Sequence, residues 1–119
     1  MPTVSWSGNW WLLSEENVRR FVPTSAGVYV LRDRGERKSV VYVGQAENLE
    51  QRLLQHLAPN EPNKCIRDRA RSGLEMRWAL VALQSDRDCI ERALYDHYNK
   101  PVCNEKTPPG APCAVNFPD

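Results

Sequence analysis

Long apolar runs are missing from this sequence, and none approaches the roughly eighteen residues that a membrane span requires. The N-terminus has no basic stretch leading into an apolar one, and Glu15 and Glu16 interrupt the only candidate. That argues against a secretory signal and makes the cytoplasm the expected location. The four cysteines, Cys65, Cys89, Cys103 and Cys113, include no C-x-x-C pair, so neither zinc-finger nor thioredoxin-like spacing is present and free thiols are expected. No long heptad pattern points to a coiled-coil partner, which leaves a monomer as the expectation. A second core has no room in 119 residues, of which 41% are hydrophobic and 26% charged, the balance of an ordinary globular domain.

A large excess of charge is also lacking, since the formal net charge is +1. The distribution is nevertheless uneven: residues 18–77 hold twelve Lys and Arg against seven Asp and Glu, leaving four against eight elsewhere. Arginine dominates the basic part, which suits bidentate phosphate contacts. Arg67, Arg69 and Arg71 lack an apolar partner pattern and are expected to face outward as phosphate contacts.

Taken in order, Trp6, Trp10 and Trp11 are dense enough to plug the end of a small core, with a stacking platform for unpaired bases as the functional alternative. Ser14 can cap a helix to about Phe21. Gly27–Arg32 and Ser39–Gly44 read as two strands joined at Arg34-Gly35-Glu36, paired as an antiparallel hairpin, with Tyr29 facing away from Val28 and Val30. Asn48 can cap a helix over Leu49–Leu57, whose leucines form a buried stripe bordered by Arg52 and His56. Pro59–Pro62 is a break. Lys64–Ser72 suits a short helix with Ile66 and Ala70 inward, and Leu74–Leu83 a third strand. Ser85 with Asp88 forms a capping-box-like start to a helix ending near Tyr98, with Ile90, Ala93, Leu94, His97 and Tyr98 as its stripe. The expected architecture is α/β (α+β): a three-stranded antiparallel sheet flanked by helices over residues 1–105. A Pro-rich tail over 106–119 is expected to be a loose cover or linker.

Unlike polar groups recur in this frame at spacings that one active site would require. Gly27-Val28-Tyr29 opens one strand, Tyr42-Val43-Gly44 closes the next, and Arg52 follows ten residues after Tyr42, with His56 four residues further on. Glu91 lies on the edge of the last helix, and Asn104 follows Pro101. This order resembles the GIY-YIG nuclease family, with GVY for GIY and YVG for YIG, over about residues 26–104. The chain departs from many relatives at Gln45, where they carry a lysine directly after the second motif.

The resemblance implies a metal-dependent endonuclease that hydrolyses phosphodiester bonds, with DNA as substrate and RNA left open. Hydrolysis needs an activated water, charge neutralisation at the phosphate and help for the leaving oxygen. By the resemblance Glu91 would hold one Mg²⁺ or Mn²⁺, Arg52 would hold the phosphate, and Tyr29 or Tyr42 would act as general base, with Tyr29 favoured. Tyr42 and His56 would orient water and phosphate, and Asn104 would brace the site. Gly27, Gly44 and Gln45 join Arg67, Arg69 and Arg71 as candidate substrate contacts. No membrane role is expected, since no apolar run is long enough for a span. With no second domain to read sequence, specificity is expected to be low, directed at structure or single strands, or supplied by a partner protein. The rival reading is a catalytically weak or inactive nucleic-acid-binding module, which the Gln45 departure supports.

Overall fold

The computed structural model describes residues 3–35 and 37–118, so the expected turn at Arg34-Gly35-Glu36 lies in part outside the described residues. Eight elements follow in order: β1 (Trp11–Leu12), α1 (Glu15–Phe21), β2 (Gly27–Asp33), β3 (Val40–Ala46), α2 (Leu49–Leu57), α3 (Lys64–Ser72), β4 (Leu74–Leu80) and α4 (Gln84–His97). The strands form one antiparallel sheet in the order β1-β4-β2-β3. The sheet therefore has four strands where three were expected. The extra one is the two-residue β1, too short to carry an alternating pattern, which pairs Trp11 with Met76 and Leu12 with Glu75.

Alternation along β2 divides the interior into two cores. Tyr29 and Leu31 enter a cluster with Val18, Leu49, Leu53, Ile66, Leu74 and Met76, which joins one sheet face to α1, α2 and α3. Val28 and Val30 enter a second cluster with Val43, Ala79, Ile90, Leu94 and Tyr95, which joins the other face to α4. With helices on both faces, Val28 to Leu31 are buried without a break. The tryptophans are used structurally: Trp11 stacks on Phe21 with centroids 4.1 Å apart, Arg32 lies 4.1 Å over Trp10, and Trp6 bridges Ala79.

The helix starts mix expected and unexpected caps. Ser14 and Asn48 accept hydrogen bonds from Asn17 N and Gln51 N, as N-caps do, and Asn63 does the same for Ile66 N at the start of α3. The capping box expected at Ser85 and Asp88 is not formed, because α4 already begins at Gln84 and its N-cap Leu83 offers no side-chain bond. Buried Arg87 organises that corner instead, donating to the carbonyls of Val81 and Ala82 at 3.0 and 2.8 Å. The α4 stripe is Arg87, Ile90, Ala93, Leu94 and Tyr95, while His97 is exposed and stacks on Phe117.

The cysteines correct the free-thiol expectation: Cys65 is bonded to Cys103 and Cys89 to Cys113, with Cα atoms 5.3 Å apart in each pair. Separations of 38 and 24 residues carry no sequence-local signature, which is why spacing alone could not reveal them. The second bridge ties the Pro-rich tail to α4. Asn116 exchanges two hydrogen bonds with the backbone of Val4, and Trp6 Nε1 donates to Asn116 O at 2.9 Å, so the tail is a packed cover rather than a loose linker.

Candidate active site

The two tyrosines meet because β2 and β3 pair Tyr29 with Gly44 and Leu31 with Tyr42. Their ring centroids are 6.0 Å apart on the sheet face that carries α2. Gly44 is what permits this. A Cβ there would lie 2.6 Å from the Cζ and Oη of Tyr29 and 2.8 Å from Cε2 of Tyr42. Gly27 is similarly filled, by Ala79 O at 2.2 Å and the Leu49 side chain at 2.8 Å. Both glycines are buried, so they serve close packing and not the substrate contact expected of them.

Behind the tyrosines a chain of hydrogen bonds runs inward. Tyr29 Oη is 2.7 Å from His56 Nε2, and His56 Nδ1 is 2.5 Å from Glu61 Oε2. The other carboxylate oxygen, Oε1, accepts from Asn63 N at 3.1 Å, and Asn63 Nδ2 donates to Cys103 O at 2.9 Å. His56 is 1% exposed and Glu61 2%. Glu61 was hidden in the Pro59–Pro62 break, and the signal that could have found it is an acidic residue five positions after a histidine on a helix edge.

Burial sets the electrostatics. It pushes the Tyr29 phenol well above its usual value near 10, with Tyr42 adding to the rise and Arg52 opposing it. Tyr42 is raised for the same first reason, again against Arg52. Burial lowers His56 to about 4, Arg52 adding to the fall and Glu61 resisting it, so the ring is neutral at pH 7. Arg52 thus lies within electrostatic reach of both phenols and the imidazole, while its Nη1 donates to Gln55 Oε1 at 3.2 Å.

Glu91 and Asn104 approach from the other side of β3. The Asn104 amide accepts from Val43 N and donates to Val43 O, both at 3.0 Å, and Cys103 N donates to Val41 O at 2.8 Å. One amide carries both a donor and an acceptor, the pair that a strand residue presents along its edge. Asn104 therefore holds β3 in place beside Tyr42. Tyr42, Asn63, Glu91 and Asn104 line a cavity of about 460 Å³ whose remaining wall is residues 105–109. Tyr42 lies on this cavity, while Tyr29 is fully buried behind it, its ring centroid 6.0 Å from that of Tyr42.

Gln45 is engaged by α4. Its Nε2 donates to Glu91 Oε1 at 3.0 Å and to Asp88 Oδ1 at 2.9 Å, and its Oε1 accepts from Gln84. Burial raises Glu91, the Gln45 bond opposes that rise and Asp88 adds to it, whereas hydrogen bonds from Gln45 and Gln84 lower Asp88. Among the described residues no group of three or more His, Cys, Asp or Glu could hold an ion. The donor set still fits one hard divalent ion, since Glu91 offers a carboxylate on a roomy polar cavity where waters can complete the shell.

The α3 arginines separate into unlike positions. Arg69 pairs with Asp33 at 2.8 Å and Arg67 reaches Glu61 O at 3.5 Å, both partly exposed, while Arg71 is exposed. The ion pair and the carbonyl were available because β2 ends, and the Pro59–Pro62 turn passes, beside α3.

Comparisons with known proteins agree with this geometry. Residues 25–106 match the family model described as the GIY-YIG catalytic domain. Comparison with curated proteins gives no match. Among solved structures, the chain is similar to the GIY-YIG N-terminal endonuclease domain of UvrC from Thermotoga maritima, as a point mutant bound to its catalytic divalent cation. That likeness has 25% identity and a TM-score of 0.58, and covers 76% of this chain and 98% of that one. The same domain bound to magnesium is similar at 26% identity and a TM-score of 0.58, covering 75% of this chain and 97% of that one. With both tyrosine motifs, Arg52, His56, Glu91 and Asn104 all inside the matched span, the chain belongs to the GIY-YIG family.

Proposed function

We propose that this chain is a divalent-metal-dependent endonuclease acting on DNA, cutting one strand at each encounter. The observation that carries the proposal is the convergence of Tyr42 and Glu91 on one open polar cavity, held in register by Asn104. Glu91 would hold the divalent ion, which when bound would supply charge neutralisation at the phosphate and the leaving oxygen. Arg52, always protonated, binds the phosphate through its planar fork and opposes the burial that raises both phenols. Tyr42 orients the attacking water from the cavity wall and takes its proton as a phosphate and Arg52 approach. Tyr29 and His56 pack behind Tyr42 and fix its ring, the Tyr42 and His56 centroids lying 5.5 Å apart.

The single copy of each site residue supports one attack per chain and, with no heptad pattern, a monomer. Among the described residues no element carries a sequence-reading signature, which supports recognition of structure or of single strands, or specificity from a partner protein. One observation favours a second reading, a module that binds nucleic acid with little cleavage: Gln45 occupies an oxygen of Glu91. The deciding experiment incubates purified protein with single-stranded, nicked, branched and intact duplex DNA, and with RNA, with and without Mg²⁺ or Mn²⁺. We expect cleavage only with metal, nicked circles preceding linear plasmid, and a Glu91→Gln variant that folds and binds DNA but does not cut. Cleavage by Glu91→Gln near the original rate would remove Glu91 from the metal site. Binding without cleavage by the unmodified protein would select the second reading.

A further inference from the structure

We propose that Glu61 is a positioning residue for the reaction: it holds the His56 ring with its proton on Nδ1, so that Nε2 can receive the proton of Tyr29. The inference rests on the nuclease reading above and adds to it a group that no motif contains.

With Glu61 ionised and His56 neutral, the geometry leaves one consistent arrangement. A carboxylate only accepts hydrogen bonds, so the Glu61 oxygen 2.5 Å from Nδ1 requires an N–H at that position. A neutral imidazole with its proton on Nδ1 has a lone pair on Nε2. The 2.7 Å contact there must then be Tyr29 O–H donating to the ring. Reversing the ring tautomer would leave the carboxylate facing a lone pair and would make Tyr29 an acceptor, unable to give up its proton in that direction. The proton path follows with its balance closed. The Tyr29 O–H bond breaks as an N–H bond forms on His56 Nε2, and the Tyr29 oxygen regains a proton from the cavity side through Tyr42 or water. The imidazolium is held against Glu61 until the proton returns to solvent after product leaves.

A purely structural role explains Glu61 poorly. A carboxylate buried to 2% exposure is costly without compensation, and among the described residues its only side-chain partner is His56. Glutamine or an apolar residue would fill the same space at lower cost. The surroundings are built to hold the group: Glu61 N donates to Ala58 O at 3.0 Å, and Asn63 N to Oε1 at 3.1 Å. Asn63 is in turn fixed as the cap of α3 and by its bond to Cys103 O.

The test uses the full chain. In ¹⁵N-labelled unmodified protein at neutral pH, long-range ¹⁵N–¹H spectra of the histidine rings, assigned with a His97→Gln variant, should show His56 protonated on Nδ1. Protonation on Nε2 would overturn the proposal whether or not any variant folds. Glu61→Gln keeps the shape but can satisfy Asn63 N with its oxygen only by turning its NH₂ toward His56. It should therefore move the ring proton to Nε2. Single-turnover cleavage should then fall by about 10- to 100-fold, with the DNA dissociation constant unchanged. A Glu61→Gln variant whose ring proton moves but whose rate stays within about twofold would overturn the catalytic link. If the unmodified protein cuts no nucleic acid at all, the nuclease reading fails and with it the catalytic role, while the tautomer result still decides whether Glu61 sets the ring.

Discussion

Adding one methyl group at Gly44 should do more damage than most core substitutions in this domain. No positive φ is involved at this position, so Gly44→Ala meets no backbone strain and acts through space alone. The new Cβ would sit 2.6 Å from Tyr29 Cζ and Oη, about 1 Å inside an ordinary carbon contact. Tyr29 has nowhere to retreat, being fully buried and bonded to His56 at 2.7 Å. A shift of about 1 Å would stretch that bond beyond hydrogen-bond range and strand a buried hydroxyl. Overpacking costs about 1–3 kcal/mol and an unsatisfied buried polar group about 1–3 kcal/mol more, so a net loss of about 2–6 kcal/mol is expected. For a domain of this size that lowers the thermal midpoint by roughly 8–24 °C. The assay is a double-mutant cycle in urea with Tyr29→Leu, which removes the ring that the methyl strikes. The Gly44→Ala cost should shrink by at least about 1 kcal/mol in that background. Equal costs in both backgrounds, or a Gly44→Ala loss below about 0.5 kcal/mol, would refute the reasoning.

Three further outcomes are expected. His56 is lowered to about 4 in the folded chain, against 6.5 unfolded, so the unfolded state binds the extra proton between those values. Stability is complete above pH 6.5 and should fall by up to about 3 kcal/mol as pH drops toward 4, a slope that urea titrations should find flattened in His56→Asn. Reducing the disulfides should cost about 4 kcal/mol for the 38-residue Cys65–Cys103 loop alone, visible by calorimetry as a midpoint roughly 15 °C lower. Since disulfides are scarce in the cytoplasm, a cytoplasmic chain would work with that smaller margin, and an unchanged midpoint under reductant would refute the estimate. Arg71→Ala should weaken DNA binding alike across sequences and reduce the salt slope by about one unit. Arg69→Ala, whose partner is Asp33, should change the slope less, and equal slopes for the two variants would contradict their different surroundings.

The parts of this domain that the sequence revealed are those with a local cause. Two β-rich runs separated by a turn, leucines at helical spacing behind Asn48, and Ser14 before two glutamates each specify an element from neighbouring residues, and each formed. Tyr29, Tyr42, Arg52 and His56 were legible as a set because β2, β3 and α2 are consecutive and their order fixes their proximity. What stayed hidden depends on distant chain segments meeting. The strand β1 exists only because β4 offers Met76 and Glu75 as partners, and Glu61 is buried only because α3 and residue 103 close over it. Asp88 was misread for a similar reason: its bonds to Gln84 and Gln45 replace the cap that its spacing from Ser85 suggested.

The Asn104 amide on Val43 has a consequence beyond the site. The strand β3 ends the sheet, and an uncovered outer strand is a template on which a second chain can add its own strand. Cys103 and Asn104 occupy the outward peptide groups of Val41 and Val43 in the middle of that strand. The cover is held by the bridge to Cys65, so it persists through ordinary fluctuations of the loop. The residue that braces the candidate site therefore also guards against edge-to-edge self-association, and losing it would expose a sticky border as well as a slack active site.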